Sequence, residues 1–428
     1  MSLIHEVRDL FKVETKYTTI NNSWSYEPIG KNCTIQNGYP FKSSKFNNEK
    51  KGMPLIRIRD ISSSSQETYF DGDYPREFLV FEGDLLVGMD GDFNCNLWKA
   101  GPSLLNQRVC RIIPNEEVIL KKFLYYGIGG YLKVINDNTS STTVKHLSSK
   151  SISEIPYPFP PLPEQERIVA KLDSLFAHLE ETKKRLEKIP ELLKQFRQAV
   201  LTQAVTGKLT EEWRDGKELE EVDIETKVSS FRKFNREIPD TWKVIAFGDF
   251  AEIKSNLVNP DQYWDLPMIA PDNIEKETGK LINIPLVSEI QPKSGKHHYN
   301  EEVILYSKIR PYLSKLTIVD FEGLCSADMY PITCKMNLHY LYCYMLSQEY
   351  LMFAITAGER SVLPKINQKS MEVIPVPVPP KEEQTEIVRR VESLFAKADA
   401  IEAQYKKLKE QIDQLPQAIL AKAFRGEV

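Results

Sequence analysis

The chain says one thing twice. EQERIVAKLDSLFA at Glu164–Ala177 returns as EQTEIVRRVESLFA at Glu383–Ala396, an offset of 219 residues, and the match continues ungapped to the C-terminus. Glu191, Gln195, Gln198, Leu201, Ala204 and Gly207 meet Glu410, Gln414, Gln417, Leu420, Ala423 and Gly426. Self-similarity at so long a period determines architecture before any local reading begins. The chain is two half-repeats, each a globular segment followed by a long helix.

In the first helix Ile168, Leu172, Leu175, Phe176, Leu179 and Leu186 recur at three- and four-residue steps; in the second Ile387, Val391, Leu394, Phe395, Ile401 and Leu408 do so. Each stripe is flanked by Glu, Lys and Arg, and nothing nearby in sequence covers it. The economical expectation is that the two copies cover each other as a coiled-coil-like pair, the alternative being ordinary core helices of separate domains. Pro190 and Pro416 should each kink or restart its helix. Gly207 and Gly426 are the expected C-terminal caps. A proline strip precedes each helix, at Pro156–Pro163 and Pro375–Pro380, and is expected to act as a flexible joint.

The globular segments correspond more weakly. MPLIRIRDI (Met53–Ile61) resembles LPMIAPDNI (Leu266–Ile274), and FEGDLLVGMDGDF (Phe81–Phe93) takes the place of NEEVILYSKIRPY (Asn300–Tyr312). Short β-branched runs, turns and one aromatic-rich helix in each predict a mixed α/β (α+β) fold with a pseudo-twofold repeat. The expected boundaries are a helical arm at 1–20, globular domains at 21–160 and 238–378, helical regions at 161–214 and 379–428, and a charged linker at 215–237.

Charge is nearly balanced, 56 Lys plus Arg against 60 Asp plus Glu, so DNA would be met through local patches or with charge supplied by partners. The N-terminus lacks a signal peptide's apolar core, and no run of about 18 apolar residues suggests a membrane span, so a cytoplasmic protein is expected. The six cysteines show no CxxC pair, which reads as packing residues rather than metal ligands. There is no Walker A sequence and no GxGxxG after a strand. Asn259-Pro260-Asp261-Gln262 lacks the aromatic residue with which an amino-methyltransferase stacks a flipped base. Asp90-Gly91-Asp92 with Lys99 could suggest a nuclease metal site, yet the second copy has Ile309-Arg310-Pro311 there; His297-His298 reads as a solvated loop. No catalytic or metal-binding constellation survives.

What remains are loops of the kind that touch phosphates and base edges. Lys42, Ser43, Ser44 and Lys45 stand between aromatics, and a strand through Arg57 and Arg59 would put both on one face. Lys308, Arg310, Tyr312 and Lys315 place three cations and a tyrosine within eight residues. Asp92, Lys99, Arg108 and Lys145 in the first half, with Lys254, Arg360 and Lys365 in the second, complete the candidate DNA contacts. Arg167, Lys171, Lys183 and Arg197 on the helices are candidate partner contacts.

With the repeat mapped, the chain resembles the specificity subunits of type I restriction-modification systems over essentially its full length. The most specific stretches are Pro158–Arg214, similar to that family's central conserved region, and Pro377–Val428, similar to its distal one. Gly83–Asn94 and Ile304–Leu316 are similar to strand-loop segments of target recognition domains. The resemblance implies two target recognition domains held apart by antiparallel conserved helices, each domain reading half of a split, asymmetric DNA site. It implies two modification subunits that carry S-adenosylmethionine and methylate adenine, restriction subunits that cleave, and no cofactor or catalysis on this chain. A stand-alone DNA-binding protein without a methyltransferase partner is the alternative.

Overall fold

A computed structural model describes residues 24–138, 145–356 and 364–428. The expected helical arm at 1–20 lies outside the described residues. The chain forms two units, Met1–Leu186 with Lys407–Val428, and Glu187–Lys406.

Both units repeat one mixed α/β plan. In the first, an antiparallel sheet runs in the order Cys33–Asn37, Val109–Pro114, Leu85–Gly88, Cys95–Leu97; in the second the order is Ala251–Ile253, Met329–Cys334, Val303–Ser307, Leu316–Val319. A second sheet in each contains one parallel pair, Met53–Ile56 with Ser103–Leu105 and Met268–Ile269 with Gly323–Cys325. The strand of that pair leads into a single 3-10 turn in both units. Asp60 Oδ2 accepts the Arg57 amide at 2.8 Å, and Asn273 Oδ1 accepts the Ala270 amide at 2.7 Å. The turn Ile58–Asp60 therefore ends the strand before Arg59, and Arg57 and Arg59 do not share a strand face as the sequence pattern suggested. The backbone bends because a buried carboxylate is available to cap it.

The proline strips are not joints. Pro156–Phe159 pairs antiparallel with Ser25–Pro28, and Pro375–Val378 with Lys243–Ala246. Alternate prolines suit a two-stranded ribbon, where every second amide points away from the ladder. Tyr157, Val376 and Val378 between them are fully buried, and the Tyr340 and Tyr344 hydroxyls donate to the carbonyls of Pro377 and Pro375.

The repeated glutamine explains why strip and helix travel together. Gln165, fully buried, donates to the carbonyls of Pro160 (2.8 Å) and Val118 (2.9 Å) and accepts the Leu120 amide at 2.8 Å. Gln384 donates to Pro379 at 2.8 Å and accepts the Asn337 amide at 3.1 Å. One amide side chain in each unit satisfies buried backbone groups where strip, aromatic helix and long helix meet.

The helices are Leu162–Leu186, Ile189–Val205 and Lys381–Ala423. Pro190 restarts the first, as expected, whereas Lys381–Ala423 runs through Pro416, which forgoes only its bond to the Ile412 carbonyl. Gly207 and Gly426 both take φ of 76°, the left-handed conformation of a helix stop. The apolar stripes are shared between the globular cores and the other copy's helix. Ile168 and Leu172 enter the first unit's core with Phe123, Leu124 and Phe424, while Phe176 stacks on Tyr126 at 5.5 Å. Ile387 and Val391 enter the second core, with Leu394 and Phe395 packed against it. Leu175, Leu179 and Leu186 are half-buried, and Ile401 and Leu408 are exposed. Each core also holds residues of the other copy's helix, Ala423 and Phe424 beside Ile168, and Val200, Leu201, Ala204 and Val205 beside Ile387.

Each unit also takes a piece of the other repeat's helix. In the second, Arg197 on Ile189–Val205 binds Asp399 (2.6 Å) and Glu402 (3.0 Å). In the first, Lys183 meets Asp413 at 3.3 Å, and Phe424 from the chain's end packs on Phe123 at 4.9 Å. Gly127 is required there, because a Cβ would strike Tyr157 and Phe424. The charged stretch 215–237 is strapped to the second unit: Val222 and Phe234 are buried in its core and Arg236 binds Glu349 at 3.0 Å.

Candidate nucleic-acid interface

The loops that carry the candidate cations are built alike. In the first unit the loop after Leu85–Gly88 is closed by a bridge in which Gly91 donates to the Lys145 carbonyl at 3.1 Å and Leu147 to Met89 at 2.7 Å. In the second, Arg310 donates to Pro364 at 2.8 Å and Ile366 to Lys308 at 2.9 Å, at positions 219 residues on. A third segment joins them: Met89 donates to the Arg108 carbonyl and Lys308 to the Asp328 carbonyl, both at 3.0 Å. The strand-end turn lies against the same loop, held by Asn94 on the Ile58 carbonyl (3.3 Å) in one unit and Lys315 on the Pro271 carbonyl (2.7 Å) in the other.

The first unit thus gathers Arg57, Arg108 and Lys145 around the loop bearing Asp92, while Lys99 stands at the other end of the hairpin, its amide on Ser64 Oγ at 3.0 Å. The second gathers Lys308, Arg310, Tyr312, Lys315 and Lys365 on one loop and its bridge. Lys42, Ser43, Ser44 and Lys45 form a separate exposed turn, Lys45 lying 6.0 Å from the Phe70 ring centre. Lys254 is apart, paired with Glu252 at 3.0 Å. Arg360 lies outside the described residues.

Availability divides these cations. Arg59 lies near Asp60 and Glu67, Arg108 binds Asp90 at 2.6 Å, Lys145 donates to the Asn136 carbonyl at 2.6 Å, and Lys365 binds Asp328 at 3.2 Å. Lys308 lies over the Tyr330 ring at 5.1 Å. Lys42, Arg57, Lys99 and Arg310 hold their cationic groups free of any acid among the described residues. Arg310 does so from a left-handed backbone, φ 49°, where the first unit has Gly91 at φ 75°.

Sequence reasoning missed two kinds of residue. The sequence offers Asp90 only as a metal ligand or a turn residue, and His146 follows a polar stretch without distinction, yet Asp90 accepts from both Arg108 and His146 (2.7 Å). His297-His298 lies on the strand Lys296–Tyr299 rather than in a solvated loop, and His297 is buried. Burial, with the Lys308 cation beside it, holds the His297 imidazole below its usual range. Among the described residues no group of three or more His, Cys, Asp and Glu is placed to hold a metal. Burial pushes the Cys33, Cys110 and Cys343 thiols up to about 12, which suits packing rather than ligation. No described helix is long and apolar enough to cross a membrane.

The fold is shared with known proteins. It matches the HsdS subunit from Thermoanaerobacter tengcongensis (TM-score 0.61, 16% identity, 96% of this chain and 98% of that one). A chain solved in work on complex assembly and conformational transition of the type I R-M system matches with a TM-score of 0.66 at 17% identity, over 96% of this chain and all of that one. By sequence, the type I restriction enzyme EcoBI specificity subunit of Escherichia coli is 39% identical over 96% of this chain and 87% of the relative. The EcoDI specificity subunit, also of Escherichia coli, is 45% identical over 73% of this chain and 71% of its own. The family model described as type I restriction modification DNA specificity domain matches twice, at residues 21–191 and 239–411, one copy on each half-repeat. The duplicated fold and both matches place the chain in the type I restriction-modification DNA specificity family.

Proposed function

We propose that this chain is the DNA specificity subunit of a type I restriction-modification enzyme, and that each globular domain reads one half of a bipartite, asymmetric site. The observation that carries this is the pair of loops, Gly88–Asn94 and Ser307–Lys315, which are anchored by the same backbone hydrogen bonds and present differing side chains. Like anchors with unlike tips are what two readers of unlike half-sites require, since phosphate contacts set register and base-edge contacts carry sequence. Two modification subunits bearing S-adenosylmethionine would supply adenine methylation, and restriction subunits cleavage. The helical regions would dock the modification subunits and set the number of unread base pairs. The near-balanced charge supports assembly, because a lone binder would need more phosphate neutralisation of its own.

The test is methylome sequencing of cells expressing this chain with its modification subunit. A split motif methylated only when both are present is expected. Replacing residues 24–160 by the equivalent of a relative should alter one half-motif and spare the other. Specific binding by the chain alone, with no methylation on adding the modification subunit, would instead favour a stand-alone DNA-binding protein.

A further inference from the structure

Three side chains meet where the loop, its bridge and the neighbouring strand come together in each unit. In the first they are Asp90, Arg108 and His146; at the same backbone positions the second has Ile309, Asp328 and Lys365. The same backbone hydrogen bonds anchor these positions in both units, so the fold does not dictate which side chains stand there. Yet their chemistry is rearranged: an acid between two bases in one unit, an acid beside one base with an aliphatic neighbour in the other.

These contacts are poorly explained by stability. Arg108 and His146 are 64% and 65% exposed, and ion pairs so open to water contribute little to folding. What such a pair does accomplish is orientation. Asp90, only 12% exposed, grips Arg108 Nη1 at 2.6 Å and His146 Nδ1 at 2.7 Å with its two oxygens, leaving the far edges of both bases outward. Ordering a long side chain before the ligand arrives lowers the entropy lost on binding. A guanidinium held by one nitrogen still offers a fork to the O6 and N7 of guanine, the commonest specific contact to DNA.

We propose that this three-residue patch is the base-reading position of each unit, with Arg108 and His146 contacting base edges of the first half-site and Asp90 positioning them, and with Asp328 and Lys365 performing the task for the second. The assignment rests on the specificity-subunit reading above and adds to it the residues that distinguish one half-site from the other.

The experiment uses the full chain in complex with its modification subunit, assayed by methylome sequencing, with thermal unfolding of each variant as a check on folding. Arg108→Ala and His146→Ala should reduce methylation of the wild-type motif by about ten- to a hundredfold. They should relax base preference in the first half only, with unfolding unchanged. Arg108→Lys should fail to restore the preference, because a point charge cannot replace a bidentate fork. Asp90→Asn should weaken the same half, and Lys365→Ala the other half alone. An unchanged motif in Arg108→Ala and His146→Ala, a uniform loss across all sequences, or full rescue by Arg108→Lys would each overturn the assignment. If the wild-type complex methylates no split motif, the specificity-subunit reading itself fails and this assignment with it.

Discussion

Arg310→Gly separates folding from recognition. Arg310 sits at φ 49°, ψ 58°, a conformation that costs an L-residue about 1–2 kcal/mol and glycine almost nothing. Its side chain is exposed and without an acid partner among the described residues, so truncation forfeits no packing or ion pair. Against the relieved strain stands the greater freedom of glycine in the unfolded chain, about 0.5–1 kcal/mol. The two nearly cancel, leaving a change of about 0 to +1 kcal/mol, which for a unit of this size raises Tm by roughly 0–4 °C. If the strained arginine is kept because it touches DNA, the same substitution should cost the second half-site about 1–3 kcal/mol, or roughly 5- to 150-fold in methylation rate. Calorimetry of the chain and methylation kinetics of the complex measure the two terms separately. The converse holds at Gly91, where an added Cβ meets nothing, so Gly91→Ala should cost only the conformational term, about 1 kcal/mol. A fall in Tm of several degrees for Arg310→Gly would refute the strain argument, and undiminished methylation would refute the recognition argument.

Gln165→Leu should destabilise the first unit by about 2–5 kcal/mol in denaturant titration, since it strands two buried carbonyls and an amide; a loss under 1 kcal/mol would contradict the clamp. Phe424→Ala, four residues before Val428, should cost about 3–5 kcal/mol and impair the first half-site rather than the second, which the methylome would reveal. Glu386 is held at a pKa of about 2, chiefly by its hydrogen bonds from Arg389 and then by Arg390. Because the folded value lies below the ordinary carboxylate value, its stabilising effect is present above about pH 4.3 and is lost as pH falls toward 2. Glu386→Gln should therefore be less stable than wild type at pH 7, by about 0.5–1 kcal/mol, and indistinguishable at pH 2. Four residues inserted after both Lys183 and Glu402 add about 6 Å of helix and should lengthen the unread spacer while preserving both half-motifs; an unchanged spacer with full activity would show that the helices do not set it.

The period of 219 residues, the amphipathic helices, the mixed α/β class and the family were all legible in the sequence, because each depends on residues close together or on a direct match between copies. So were the two helix-stopping glycines, whose conformation follows from the absence of a Cβ. Whether a proline strip bends or pairs depends on a strand more than a hundred residues away, and pairing is what the ribbons with Ser25–Pro28 and Lys243–Ala246 decided. An apolar stripe announces that it will be buried but not everything that covers it; Ile168 and Ile387 meet domain cores as well as the other copy's helix. The same holds for charge. Asp90, Arg108 and His146 lie scattered over 57 positions of an unremarkable sequence, and only the closing of a loop onto its bridge sets them within hydrogen-bonding distance. Local periodicity determines what each segment can be, whereas partners are chosen by the closure of long loops, and that choice belongs to the tertiary structure.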